Sequence, residues 1–412
     1  MGQHNIAIII QNIIQWYSIR PLAKLLEKQA DIKLDILIFD PPSNDADYSS
    51  IALHVEKIIH AEGFITSRKP RHAEYKICLA PYSDMITFKA QYRLGYCYGA
   101  ATTKPHLTSL PEFKIGFHGF FLHDTYGAEL FSVYGKTYIV PDLYLRSINH
   151  KKASNKPVVL FLPTYHEPST INTAKTLSKL KDKYYIIVKS HHGTDSLNEE
   201  KTKKDLLLEI ANEYYDSDQY IMPLLDKADV VLSDNSGAVM DALYSKVPVS
   251  ITTPTLCEGL NGIPSLQTEL IAANIIPYSK TQTTSHIDKI LKQALSASYI
   301  KRQTNTSDQL FPSKTGGAQT WYNIIKKYLN DDIDQNYCKL HDYYSSFVKN
   351  LIEQQRVLQN ERANLMDSIK TLNSDISTLK AQLDIYQCSR AHRILENILS
   401  NHHRKQQEKN HD

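Results

Sequence analysis

Two Rossmann-like α/β halves facing a cleft, followed by a coiled-coil helix, are the architecture this sequence predicts. Three observations predict it. Apolar, β-branched runs such as Ile6 to Ile10 and Val158 to Leu162 alternate with helix-period segments as far as Leu329, the pattern of strands buried on both faces of a doubly wound sheet. A polar, aperiodic stretch at 151–157 divides that series in two. From about Tyr344 the apolar period becomes seven. The chain has 412 residues, too many for one ordinary core and enough for two domains of roughly 150 residues with an appendage. The expected boundaries are 1–150 and 157–331 for the two halves, 336–400 for the coiled-coil helix, and 401–412 for a frayed polar tail.

In the first half, Ile6 to Ile10 and Leu34 to Phe39 read as parallel strands joined by a helix over Ile19 to Lys28. Ile51 to Ala61 reads as a second helix. Tyr75 to Leu79 and Lys114 to Phe117 read as further strands, the latter ending at His118-Gly119. In the second half, strands are expected at Val158 to Leu162, Tyr184 to Val188, Val230 to Leu232 and from Pro248 to Ile251. Helices are expected at Asn172 to Lys181, Glu199 to Tyr214 and Ala238 to Tyr244, and Ser285 to Ser296 and Gly317 to Leu329 close the globular part.

Beyond that, Val348, Gln355, Arg362, Ile369, Ile376 and Leu383 share one heptad position, and Tyr344, Leu351, Leu358, Leu365, Leu372, Leu379 and Tyr386 the other. Ile at a with Leu at d selects parallel dimers, so a homodimer through this helix is expected, with Gln355 and Arg362 setting register. A long helix folded back on its own chain is the alternative.

Composition excludes several classes. A net charge of +3 gives no electrostatic footprint for nucleic acid. Five scattered cysteines lack the spacing of a zinc site or a disulfide framework, which points to a reducing compartment. No GxGxxG occurs, and no cofactor is expected. Met1 to Ile10 reads as a first strand with no signal-peptide pattern, and no apolar run reaches the roughly 18 residues that cross a bilayer. The expected location is the cytoplasm, with peripheral contact at the inner face of the cytoplasmic membrane as an option for the cation-bearing tail.

Residues that follow strand ends in α/β sheets lie on the ligand-binding edge. Four segments hold that position in this reading: Gly116-Phe117-His118-Gly119, Leu162-Pro163-Thr164-Tyr165, Val188-Lys189-Ser190-His191-His192-Gly193, and Ser233-Asp234-Asn235-Ser236-Gly237. The last joins a strand to a helix through small polar residues, where free N–H groups and the helix dipole favour an anion. An ordinary turn with Asp234 or Ser236 as N-cap is the competing reading. His118 has the residue type of a general base, or is a histidine filling a strand end. Lys189 and His191 could neutralise a phosphate, or cap a solvated loop. A metal site is not supported, because no carboxylate or cysteine stands at ligand spacing. Asp241 could accept from a ribose or acceptor hydroxyl, or be a surface carboxylate.

As a set these residues resemble the CDP-glycerol glycerophosphotransferase family, the teichoic-acid primases and polymerases. The resemblance runs through His118-Gly119, Pro163-Thr164, Lys189-Ser190-His191-His192, Ser233 to Gly237, Asp241, Pro248 and Gly317-Ala318, from roughly Lys114 to Leu329. It implies a GT-B-like fold, an acceptor-side N-terminal domain and a donor-side C-terminal domain. It also implies catalytic His118 and His191, and a donor held by Thr164, Lys189, Ser233, Asp234, Asn235, Ser236, Gly237 and Asp241, without a metal. The chain departs from the family at His192, where proline is usual, at Gly237 in place of a second serine, at Phe117 in place of tryptophan, and at Phe120-Phe121-Leu122 in place of a polar loop.

The expected function is therefore a transferase of cell-envelope polysaccharide, teichoic acid or capsule. It would move glycerophosphate or a related group from a nucleotide-activated donor to a glycan or lipid-linked hydroxyl. A GT-B glycosyltransferase using a CMP- or UDP-sugar is the alternative within enzymes. A non-catalytic coiled-coil scaffold on a degenerate transferase fold is the alternative outside them. An epimerase wants several carboxylates around the sugar, and the motifs show no such cluster.

Overall fold

The computed structural model describes residues 3–409 apart from 39–45, 82–85, 87, 101–114, 152, 165–166, 168, 192–193, 195–199, 235 and 257–263, with backbone alone for 46–51 and much of 386–409. Met1, Phe39, Lys114, Tyr165, His192, Gly193, Glu199 and Asn235, each named above, lie outside the residues so described.

The first series runs β1 (His4–Ile10), α1 (Ile13–Glu27), β2 (Ile32–Ile38), α2 (Ala46–Ala61), β3 (Thr66–Ser67), β4 (Glu74–Ala80), β5 (Lys89–Tyr96), β6 (Gly119–Leu122), α3 (Thr125–Phe131) and β7 (Lys136–Ile139). These strands form one parallel sheet in the order β3-β2-β1-β4-β5-β6-β7. Strand period explains its two faces. Ile6, Ile8 and Ile10 enter the core beneath α1, while Ala7 and Ile9 enter the one on the opposite face.

The second series runs β8 (Val158–Leu162), α4 (Ser169–Ser178), β9 (Tyr185–Lys189), α5 (Lys201–Ile210), β10 (Glu213–Tyr215), α6 (Met222–Leu225), β11 (Val230–Ser233), α7 (Ala238–Tyr244), β12 (Val249–Thr252), α8 (Leu266–Ala272), β13 (Tyr278–Ser279), α9 (Thr284–Ala294) and α10 (Ala297–Leu310). Its sheet is parallel, in the order β10-β9-β8-β11-β12-β13. Val158, Leu160 and Leu162 face one core, and Val159 and Phe161 the other. Both sheets thus have the doubly wound order, with a topological switch point where the chain reverses direction across the sheet.

Four expectations need correction. The helix expected to run to Tyr214 ends at Ile210, and Tyr214 lies inside strand β10. The strand expected to end at His118 is a turn over its described residues, and the strand begins at Gly119. A Cβ at Gly119 would lie 2.9 Å from the Tyr328 hydroxyl, so this glycine admits the packed Tyr328 side chain at the start of the strand. Strands β5 and β7 were not expected, because their Lys, Gln and Arg residues interrupt the apolar pattern. Finally, α11 (Gly317–Leu329), expected with the second half, packs on the first. Trp321, Ile325, Tyr328 and Leu329 sit in the core beneath α1, and Trp321 Nε1 donates to the Pro141 carbonyl at 2.9 Å.

The last helix, α12 (Gln335–Lys409), extends for 75 residues. Residues up to Ser345 belong to the same compact unit as both sheets, and Ser346–Asp412 form a second unit. Among the described residues, no helix is long and apolar enough to cross a membrane.

Candidate functional site

The two sheets meet through segments that follow their strands. Tyr126, after β6, donates to the Pro264 carbonyl at 2.7 Å. On α1, Tyr17 stacks on Tyr144 and meets Tyr220 edge-on, and His54 on α2 pairs with Asp218, after β10, at 2.9 Å. Between these contacts the Ala100 N–H donates to Asp241 Oδ1 at 2.8 Å, and the Asp142 N–H donates to the Tyr244 hydroxyl at 3.2 Å. Gly99 takes φ +87°, a left-handed conformation, and a Cβ there would stand 3.3 Å from the Asp241 oxygen. The C-terminal edges of the two sheets therefore face each other, which is where parallel sheets bind ligands.

At the switch point of the second sheet, the turns after β8 and β11 lock together. Asp234 accepts from the Thr164 N–H at 2.9 Å and from the Thr164 hydroxyl at 2.6 Å. The Asp234 carbonyl accepts from Gln267 Nε2 at 2.8 Å, and Ser233 donates to the Leu162 carbonyl. Ser233 and Asp234, expected to contact a donor, thus spend their side chains within the protein, because burial leaves them no other way to satisfy their polar atoms. They shape the turn. Ser236 and Gly237 follow it half-buried, and Ser236 Oγ accepts from the Ala238 N–H at 3.3 Å.

Lys189, the last residue of β9, reaches the Ser217 carbonyl at 3.2 Å, and His191 follows it half-buried. Asp241 lies on α7 between the sheets. Burial pushes its carboxyl up to about 7, against the Ala100 hydrogen bond and Lys189, which pull it down, and with Asp142, which raises it further. Burial likewise holds Asp234 at about 6.

The structure places His118 elsewhere. It precedes β6, so it lies at the N-terminal end of that strand, away from the edge the sheets share. Its ring is buried, Nδ1 accepts from the Arg93 N–H at 3.1 Å, and Nε2 lies 3.2 Å from Asp342 Oδ1. Asp342 also pairs with the Arg93 guanidinium at 2.6 Å, and both hold its carboxyl below the usual range against burial, which raises it. These groups fasten the first turns of α12 to the first sheet.

His118, His341 and Asp342 bring three ligand-type atoms within 4.8 Å of one another, a grouping that spacing along the chain does not reveal. The donor pattern does not suit a metal. With Nδ1 accepting a backbone N–H, the neutral His118 ring carries its proton on Nε2, the atom a metal would need. The Arg93 cation already occupies the carboxylate.

Among the described residues of the first half, a histidine that does reach the shared edge is His123, five residues and about 16 Å of extended chain further on. It follows β6 directly and is buried beside Trp321, with Nδ1 at 3.0 Å from the Val140 carbonyl. A carbonyl can only accept, so Nδ1 carries a proton and the neutral ring presents a lone pair on Nε2. That nitrogen lies 3.4 Å from Asp142 Oδ2. Asp142 Oδ1 is held by the N–H groups of Tyr144 and Leu145 at 2.6 and 2.8 Å. Sequence reading missed this pair, although His123-Asp124 immediately follows the apolar run Phe120-Phe121-Leu122.

Two Rossmann-like domains with facing C-terminal edges, and a last helix of the globular part that returns to the first domain, define the GT-B fold. Comparison with solved structures agrees. A Listeria monocytogenes protein described as a UDP-N-acetylglucosamine 2-epimerase matches with a TM-score of 0.52 and 12% identity, over 81% of this chain and 98% of its own. The UDP-GlcNAc 2-epimerase of Neisseria meningitidis, bound to UDP-GlcNAc, matches with a TM-score of 0.51 and 12% identity, over 79% of this chain and all of its own. The wall teichoic acid polymerase TagF matches with a TM-score of 0.49 and 12% identity, over 81% of this chain and 90% of its own. At these identities the likeness is one of fold. No protein-family model and no curated protein sequence matches the chain.

Proposed function

We propose that the protein transfers a group from a nucleotide-activated donor to a hydroxyl of a cell-envelope glycan or lipid-linked acceptor, with CDP-glycerol as donor and glycerophosphate as the group moved. The observation that carries the reading is the distribution of chemistry over the facing edges. The first sheet supplies His123 with Asp142, and the second supplies Lys189, His191 and the half-buried Ser236-Gly237 turn ahead of α7. The latter hold the diphosphate. The acceptor oxygen attacks the phosphorus that bears the transferred group, its proton passes to His123 Nε2, and the phosphorus–oxygen bond to CMP breaks. Asp142 stabilises the imidazolium so formed. Because His123 is buried, the edges must part for the acceptor to reach it.

A second reading, chemistry on a UDP-sugar, is favoured by one observation. The Asp142 N–H donates to the Tyr244 hydroxyl on α7, the helix that also carries Asp241, so two carboxylates distant in sequence come to the shared edge and supply acids that the sequence motifs lack. Titration with CMP, CDP and UDP, followed by turnover assays with CDP-glycerol, CMP-sugars and UDP-sugars, separates the readings. Release of CMP with transfer to the acceptor supports the first, and epimerisation or transfer of a UDP-sugar supports the second. A protein that binds none of the three nucleotides overturns both.

A further inference from the structure

Among the described residues, the apolar seam of α12 beyond Ser345 is exposed. Leu365, Ile369, Leu372, Ile376, Leu379 and Leu383 alternate at heptad positions d and a, and they are 48–64% exposed. A stripe of this kind on a soluble helix marks an interaction surface. The seam cannot start at the beginning of the helix. One heptad before Val348 the a position is His341, whose Nε2 donates to the Tyr134 carbonyl at 2.8 Å, and the adjacent Asp342 is paired with Arg93. These turns are committed to the first sheet, so the free seam lies beyond Ser345.

The charges flanking the seam identify its occupant. At the g positions stand Phe347, Gln354, Glu361, Ser368, Asp375 and Gln382, and at the e positions Ile352, Gln359, Met366, Asn373, Lys380 and Gln387. All charge at g is negative, and the one charge at e is positive. An antiparallel pair of identical helices sets g against g and e against e, where only like charges can meet. A parallel, in-register pair sets g against e of the following heptad, which joins Asp375 to Lys380 of the second copy, twice by symmetry. Arg362, at a, would repel its own copy across the axis, but the neighbouring Glu361 at g of the second copy lies within its reach.

We propose that 346–386 is the binding surface for a second copy of this chain, in parallel and in register, with orientation fixed by Asp375 and Lys380. This holds whichever donor the enzyme uses. The test is made on the full chain. Leu379→Cys places a thiol at a d position, where parallel in-register helices bring the two copies together. Mild oxidation should crosslink it to a covalent dimer, while the native chain, whose Cys388 falls at the outward f position, should not crosslink. Asp375→Lys should weaken dimerisation severalfold in light scattering, and Asp375→Lys with Lys380→Asp should restore it. A monomeric native chain overturns the proposal. So does a dimer in which Leu379→Cys fails to crosslink, or one whose affinity ignores both charge variants.

Discussion

Asp234 accepts two hydrogen bonds from Thr164, through its backbone N–H and its hydroxyl, and so ties together the turns that flank the switch point of the second sheet. Thr164→Val keeps the shape and removes one donor from a buried carboxylate. We expect a loss of about 1–3 kcal/mol in urea unfolding. Nucleotide affinity should fall severalfold with it, since the turn leads into the N–H groups of α7. Thr164→Ser should behave as the native chain. Unchanged nucleotide affinity in Thr164→Val would remove the clamp from the binding site.

The carboxyls of Asp124 and Asp234 stand at about 6 and that of Asp241 at about 7, each raised first of all by burial. Their values in the unfolded chain are near 3.9. Between about pH 4 and 7 the folded chain therefore binds more protons than the unfolded one. The contribution of these groups to stability is fully present below about pH 4 and is lost as pH rises through 6 to 7. Asp241→Asn can still accept from Ala100 and carries no charge to bury. It should raise stability at pH 8 by about 1–3 kcal/mol and flatten the slope across this window, as read by chemical unfolding at a series of pH values. If Asp241 meets the acceptor hydroxyl, turnover falls in the same variant. Equal slopes for variant and native chain would contradict the burial argument.

The two histidines separate by readout. His123→Asn should lower turnover on the order of 10²-fold or more with little change in nucleotide affinity. His118→Gln breaks a buried contact at the base of α12 and should reduce stability by about 1–3 kcal/mol while turnover per folded molecule persists. A turnover defect in His118→Gln at full folding, with none in His123→Asn, would reverse the assignment.

Trp321 tests the place of α11. Its ring stacks on Phe121 at 4.7 Å, in the core of the first sheet. Trp321→Ala should cost about 3–5 kcal/mol. Loss of α11 should likewise expose the first core. A chain ending at residue 316 that gives sharp thermal unfolding and native-like amide protection in the first sheet would refute this packing.

The sequence by itself determined the two α/β series, the polar turns that follow the strands of the second sheet and the heptads. In each case the signal is local. Val158 to Leu162 and Val230 to Leu232 are apolar throughout because both faces of a central parallel strand are covered, and the polar turns stand out against them. Only the tertiary structure decided which histidine reaches the shared edge. His118 and His123 are chemically alike and lie at opposite ends of a four-residue strand, so a small error in strand register exchanges their surroundings. It also decided that Asp142 is held against α7, the helix of Asp241, and that α11 returns to the first core. An amphipathic helix carries in its period the width of its apolar face, but not the identity of the sheet that face will cover. That choice rests on where Trp321 and Tyr328 find complementary volume beside Phe121 and Gly119.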